Sequence, residues 1–185
     1  MLEIRWHSRA GQGAKTGGNV LSQVMALGGK YVQDFSVYGA EKRGAPMNAF
    51  NRVADEKIID HSKTMDPDFV MVIDPSLAYG SDVLYSTKPT TKFIITTHLD
   101  KEAFLKEIPQ FVGKDLYLVD CITISKETIG RVIPNTPMLG ALMKVSGILP
   151  IEEFKEATRK MLTKFPQKVI DGNMNAIQRA HDEVN

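Results

Sequence analysis

The chain has 185 residues, a formal net charge of +1, 43% hydrophobic residues and 24% charged residues. These values suit one soluble globular domain over residues 1–185, and the near-neutral balance argues against a dedicated nucleic-acid surface. The longest plainly apolar run, Phe69 to Ile73, is far too short to span a bilayer, and the amino terminus reads as a strand instead of a signal peptide. A cytoplasmic location with neither nucleic acid nor membrane as partner is expected.

Leu2, Ile4 and Trp6 alternate with polar residues, which predicts a half-buried first strand. Val20, Leu21, Val24, Met25 and Leu27 then share one face of a helix. Between them runs Ser8-Arg9-Ala10-Gly11-Gln12-Gly13-Ala14-Lys15-Thr16-Gly17-Gly18. Its glycines permit positive φ and a close approach of ligand to backbone. N–H groups at the start of the helix, at the positive end of its dipole, favour a negative group, and Arg9 and Lys15 add charge. The loop therefore predicts an anionic ligand such as a phosphate.

Neither familiar nucleotide pattern fits it. Aligning a P-loop on Lys15-Thr16 puts Ala14 and Arg9 where glycines belong, and a dinucleotide fingerprint on Gly11 and Gly13 meets Thr16 in place of its third glycine. A tight turn that only packs a helix close to a sheet stays open as the other reading.

Tyr31 to Phe35 reads as a strand, and Met47 to Val53 as another, with Asn48, Asn51 and Arg52 at its polar positions. A second unusual loop, Ser36 to Pro46, joins them and contains Tyr38-Gly39-Ala40-Glu41-Lys42-Arg43-Gly44. Phe69 to Ile73 is a continuous apolar run ending in Asp74-Pro75, the form of a strand buried on both faces of a parallel sheet. Lys92 to Thr97 and Leu116 to Asp120 repeat it, with helices expected near Lys101 to Ile108 and Ser125 to Ile129. The fold class expected is α/β, a doubly wound, mostly parallel open sheet with helices on both faces.

From about residue 136 the pattern is helical. Met138, Leu139, Leu142 and Met143 form one stripe, Pro150 with Glu152 and Glu153 starts a helix carrying Phe154, Met161 and Leu162, and Val169, Ile170, Met174 and Ile177 mark a last one. These helices are expected to pack on the same domain.

Chemistry-bearing residues are sparse. Cys121 is the single cysteine and reads as a small core residue, while His7, His61, His98 and His181 show no metal-ligand spacing. Asp74 and Asp120 end strands; an acid/base pair is conceivable, but capping of the next helix is the favoured reading. Ligands of open α/β sheets gather beyond the carboxyl ends of strands, where Arg9 to Thr16, Tyr38 to Gly44, Asp74 to Ser76, Thr97-His98 and Asp120 converge.

Three ordered motifs, Arg9-Ala10-Gly11-Gln12-Gly13 after a strand, Tyr38 to Gly44, and Asn135-Thr136-Pro137-Met138-Leu139-Gly140-Ala141, resemble the gamma subunit of 2-oxoacid:ferredoxin oxidoreductases, the pyruvate enzymes most of all. The resemblance covers nearly the whole chain. It departs at Ala10, where the family more often has glycine, and at Gly44-Ala45, where a glycine pair is usual. Such enzymes oxidatively decarboxylate a 2-oxoacid on thiamine diphosphate, pass the electrons through iron–sulfur clusters to ferredoxin, and transfer the acyl group to coenzyme A.

The resemblance implies that alpha, beta and ferredoxin-like delta partner subunits carry thiamine diphosphate and clusters, and that external ferredoxin is reached through the complex. This chain, which binds no cofactor alone, is implied to help bind coenzyme A as substrate at a shared site. The implied ligand-contacting residues are Arg9, Gly11, Gln12, Gly13, Lys15, Thr16, Tyr38, Glu41 and Arg43, with no catalytic residue and no metal ligand. The 2-oxoacid itself, whether pyruvate, 2-oxoisovalerate, 2-oxoglutarate or indolepyruvate, is left open. Two readings remain beside this one: an independent nucleotide-binding protein, and a purely architectural subunit.

Overall fold

A computed structural model describes residues 1–38, 44–60, 62 and 65–185, with only the backbone of Tyr38. Six strands, β1 (Leu2–Arg9), β2 (Tyr31–Tyr38), β3 (Pro46–Ala54), β4 (Phe69–Val72), β5 (Lys92–Thr96) and β6 (Asp115–Val119), form one sheet in the order β2-β3-β1-β4-β5-β6. β1, β4, β5 and β6 run parallel, whereas β3 lies antiparallel between β1 and β2. The expected α/β sheet is therefore present, with β3 as its reversed strand. β1 and β2 end at the same border, where β3 begins.

The helices are α1 (Ala14–Leu27), α2 (Lys101–Glu107), α3 (Cys121–Ile129), α4 (Asn135–Ser146), α5 (Ile151–Met161) and α6 (Gln167–Glu183). Alternate strand residues feed two cores. Ile4, Trp6, Met71, Ile94 and Val119 pack with α1, α3, α4 and α6 on one face of the sheet, with Phe154 of α5 in the same core. Val70, Val72, Phe93, Ile95, Leu116 and Leu118 pack under Phe104 of α2 and Phe111 on the other. The helical last third thus belongs to the larger core, where its apolar stripes are buried.

Two helix starts show why the boundaries fall where they do. α3 begins at Cys121, four residues before the helix expected near Ser125, because the Asp120 carboxylate accepts from the Thr123 N–H at 3.0 Å and the Thr123 hydroxyl at 2.7 Å. α5 follows Pro150, with Glu152 and Glu153 in its first turn. Leu27, read with the apolar face of α1, is exposed, since a 3.6-residue period carries it off the Leu21–Val24–Met25 stripe.

The strands near the site are more buried than their alternation suggests. Arg5 and His7, at the polar positions of β1, are both buried, so this strand is covered on both faces and is not half-buried. Asn51 and Arg52, read as polar positions of β3, are also fully enclosed. Asn51 accepts from the Trp6 indole N–H at 2.7 Å and donates to Gly18 O and Ser22 Oγ, each at 2.9 Å. Arg52 donates to Glu3, Gln33 and the Asp60 carbonyl and lies over the Phe35 ring. Asn51 and Arg52 are thus enclosed together with their hydrogen-bond partners, as burial requires.

α6 is seated by two glycines. A Cβ on Gly140 of α4 would stand 2.0 Å from the Ile177 carbonyl oxygen, and one on Gly172 of α6 would stand 2.7 Å from that of Thr128. Beyond α6 the backbone of Asn185 pairs with Leu118, N–H to O in both directions at 2.8 and 3.2 Å, along the outer side of β6.

Candidate functional site

Among the predicted positive-φ positions of the first loop, Gly11 has φ 102° and Gly13 φ 90°, backbone conformations that L side chains rarely adopt. Gly17 and Gly18 serve a different purpose from the one expected. They face protein, Gly17 beside Trp6 and Asn135, Gly18 beside Asn51, and let α1 settle onto the sheet. The loop therefore divides into a turn of glycines before the helix and a packing pair inside it.

The N-terminus of α1 lies at the carboxyl border of the sheet. Its first helical bond runs from the Gly17 N–H to Gly13 O at 2.8 Å, and its cap residue is Gly13, with no side-chain cap and no acidic residue in the first turn. The N–H groups of Ala14, Lys15 and Thr16 have no acceptor within the helix. Lys15 and Thr16 are exposed on that turn. α2 and α3, in contrast, are capped by Asp100 and Asp120.

Arg9 and Gln12, expected to face a ligand, are tied into the protein. The Arg9 Nε pairs with Asp74 Oδ2 at 3.3 Å, its Nη2 donates to Ser76 Oγ at 3.0 Å and its Nη1 to Gly44 O at 3.3 Å. The Gln12 amide donates to the same Asp74 Oδ2 at 2.5 Å, while its Oε1 accepts from the Arg9 N–H at 2.8 Å. Ala10 joins this border to the next loop through its N–H to Ala45 O and its carbonyl to the Gly44 N–H. Arg9 is thus a strut between the β1–α1 turn, the entry to β3 and the end of β4.

Asp74 is the hub. Its Oδ1 accepts from the Ser76 N–H at 2.9 Å and hydroxyl at 2.6 Å, the cap expected from the sequence. Burial works to raise its pKa, but hydrogen bonds from Ser76 and Gln12 and the charge of Arg9 outweigh that and hold it below the ordinary carboxylate range. On β2, Asp34 is shifted the other way, raised by burial against the hydrogen bond from Asn19 and the charge of Lys15.

Asn135 is the residue whose role was not read from the sequence, although its motif was. It opens α4 and is buried, with its amide beside Gly13: a Cβ there would lie 2.8 Å from Asn135 Cγ. Among the described residues its Oδ1 has no hydrogen-bond partner. The first and third motifs therefore meet. Of the second, Tyr38 ends β2 opposite Met47, and Glu41 and Arg43 lie outside the described residues.

Cys121 is fully buried, and burial pushes its thiol well above the ordinary range, which leaves it unreactive. Among the described residues no group of His, Cys, Asp or Glu is placed to hold a metal, and no helix is long and apolar enough to cross a membrane. Such an arrangement defines an α/β chain in which a glycine turn presents the start of a helix, without a side-chain cap, at the carboxyl border of the sheet.

Comparison with known proteins gives that class its family. The family model for pyruvate ferredoxin/flavodoxin oxidoreductase matches residues 3–183. The chain is 45% identical over 184 residues to the pyruvate synthase subunit PorC of Thermotoga maritima, covering 99% of this chain and 94% of that one. It is 38% identical over 183 residues to the common gamma subunit of the pyruvate/ketoisovalerate oxidoreductases of Pyrococcus furiosus, covering 99% and 97%. A crystal structure of the Thermotoga maritima pyruvate oxidoreductase subunit superposes with a TM-score of 0.85 at 41% identity, over 100% of this chain and 97% of that one.

A 2-oxoglutarate:ferredoxin oxidoreductase of Magnetococcus marinus, solved with 2-oxoglutarate, coenzyme A and succinyl-CoA bound, shares the fold. Its TM-score is 0.77 at 22% identity, over 98% of this chain and 30% of that longer one. The chain belongs to the pyruvate ferredoxin/flavodoxin oxidoreductase family, as a gamma-type subunit of a multi-subunit pyruvate/2-oxoacid:ferredoxin oxidoreductase.

Proposed function

We propose that this subunit forms one wall of the coenzyme A site of a pyruvate:ferredoxin oxidoreductase, while partner alpha, beta and delta subunits hold thiamine diphosphate and the iron–sulfur clusters. The observation that carries the reading is the uncapped start of α1. After the Gly11 and Gly13 turns, its open N–H groups and Lys15 stand together at the carboxyl border with no carboxylate in the first turn. Coenzyme A presents a pyrophosphate and a 3′-phosphate, and a helix N-terminus accepts such groups through its N–H donors and dipole. Thr16 adds a hydroxyl on the same turn. Arg9 and Gln12 support the loop from behind, and Tyr38, Glu41 and Arg43, the last two outside the described residues, are proposed as polar contacts of the same shared site.

In this reading the chain binds and orients. Thiamine diphosphate, bound by a partner, supplies the electron sink for decarboxylation. Pyruvate is proposed as the 2-oxoacid from the names of the relatives with the higher identities.

The test is steady-state kinetics of the assembled enzyme. Lys15→Ala removes a charge-assisted contact of about 1 kcal/mol and raises the KM for coenzyme A about fivefold, with the KM for pyruvate unaltered. An unchanged coenzyme A KM in Lys15→Ala and in Thr16→Ala would favour the architectural reading, in which these loops touch only protein.

A further inference from the structure

We infer that Asp74 is a positioning residue for the ligand loop: by holding Arg9 and Gln12 on one carboxylate oxygen it fixes the Gly11–Gly13 turn, and with it the direction of the open N–H groups of α1. The inference rests on the coenzyme A reading for its kinetic consequence, although the clamp is a property of the chain itself.

The geometry separates two tasks on the two oxygens of this carboxylate. Oδ1 caps the turn that follows β4 through the Ser76 N–H and hydroxyl, a local task that an asparagine oxygen performs as well. Oδ2 looks across to the neighbouring strand end, where it accepts from Gln12 Nε2 and pairs with Arg9 Nε. The parallel register of β1 on β4, with His7 beside Val72, carries Arg9 to the level of Asp74.

Gln12 closes the circuit, because its Oε1 accepts from the Arg9 N–H at the start of the turn. The turn is therefore gripped from the Arg9 side chain, the Arg9 backbone and the Gln12 amide at once; Asp74 holds both side chains, and Ser76 Oγ and Gly44 O hold the guanidinium further. Gly11 in the middle makes no contact through a side chain, and no described residue lies within 4 Å of where its Cβ would be. Without the clamp, a segment with two positive-φ glycines has many accessible conformations.

Asp74→Asn discriminates between the tasks. The asparagine keeps an oxygen for Ser76 and turns an NH2 toward the donors of Gln12 and Arg9, so the cap persists, Gln12 loses its acceptor and Arg9 keeps only Ser76 Oγ and Gly44 O. Hydrogen exchange on the assembled complex reads the loop directly. The Gln12 backbone amide, which donates to Arg9 O across the turn at 3.1 Å, exchanges at least tenfold faster in Asp74→Asn, while those of β4 and α4 keep their protection. Gln12→Ala gives the same pattern more weakly.

In the same complexes the KM for coenzyme A rises about fivefold, and the effect falls on KM rather than kcat. Exchange in the loop unchanged by both variants overturns the inference. So does faster exchange with an unchanged coenzyme A KM when Lys15→Ala does raise it. If neither Lys15→Ala nor Asp74→Asn moves that KM while the loop still exchanges faster, the clamp stands and the coenzyme A reading fails.

Discussion

Gly13→Ala is the substitution through which the meeting of the first and third motifs is most directly measured. Two costs add. An L residue in the left-handed region costs roughly 1–2 kcal/mol, and φ 90° lies beyond the centre of that region. The new Cβ also stands 2.8 Å from Asn135 Cγ and about as close to both terminal atoms of that amide, an overlap whose relief in a packed interior costs roughly 1–3 kcal/mol. Gly13→Ala alone thus loses about 2–5 kcal/mol by these two terms.

Asn135→Ala removes the atoms that are struck. Because Asn135 Oδ1 has no hydrogen-bond partner among the described residues, its removal forfeits packing but no bond to that oxygen. In the double variant only the backbone term remains. The two substitutions are therefore coupled by roughly 1–3 kcal/mol in the rescuing direction. Urea unfolding of wild type, both single variants and the double variant closes the cycle. Additive losses, or a Gly13→Ala chain as stable as wild type, refute the contact.

Gly140→Ala drives a Cβ into the Ile177 carbonyl, backbone that cannot rotate away. The expected loss is about 3 kcal/mol or more, a fall of roughly 6–12 °C in Tm for a domain of this size. Gly172→Ala, with 2.7 Å to the Thr128 carbonyl, is expected to lose less in the same melt. His7 makes the fold sensitive to acid: burial, then the charge of Arg5, lowers its pKa from 6.5 to about 3. Between those values the unfolded chain holds a proton that the native chain refuses. Stability contributed by this group is complete above 6.5 and falls as pH drops toward 3, with a slope of up to about 1.4 kcal/mol per pH unit. His7→Gln flattens that limb in urea titrations from pH 7 to 4, and an unchanged slope would exclude His7 as its source.

Features of the chain that depend on near neighbours were legible in the sequence. The strand-to-helix glycine turn, the apolar runs of β4, β5 and β6, the caps at Asp74 and Asp120 and the start at Pro150 are all written within a few residues of where they act. Partnerships across the sheet were not. Arg9 reads as a spare cation until the register of β1 and β4 sets it beside Asp74. Asn135 lies more than a hundred residues from Gly13, and nothing local announces their contact. Alternation likewise reports polarity but not exposure, so Arg5, His7, Asn51 and Arg52 looked like a solvated face although each is enclosed.

The strip that Asn185 lays along β6 has a consequence for how this sheet meets others. Edge-to-edge growth needs two bare borders on every copy, one to give and one to receive. Here the Leu118 peptide already has its partner in Asn185, while β2 pairs on only one side among the described residues. Copies that add strand to strand therefore find β2 the more open border, with β6 interrupted at Leu118. Pairing of β2 with β2 gives a couple of about twelve strands, twice the six of one copy, and growth beyond it must start on an edge that Asn185 already interrupts.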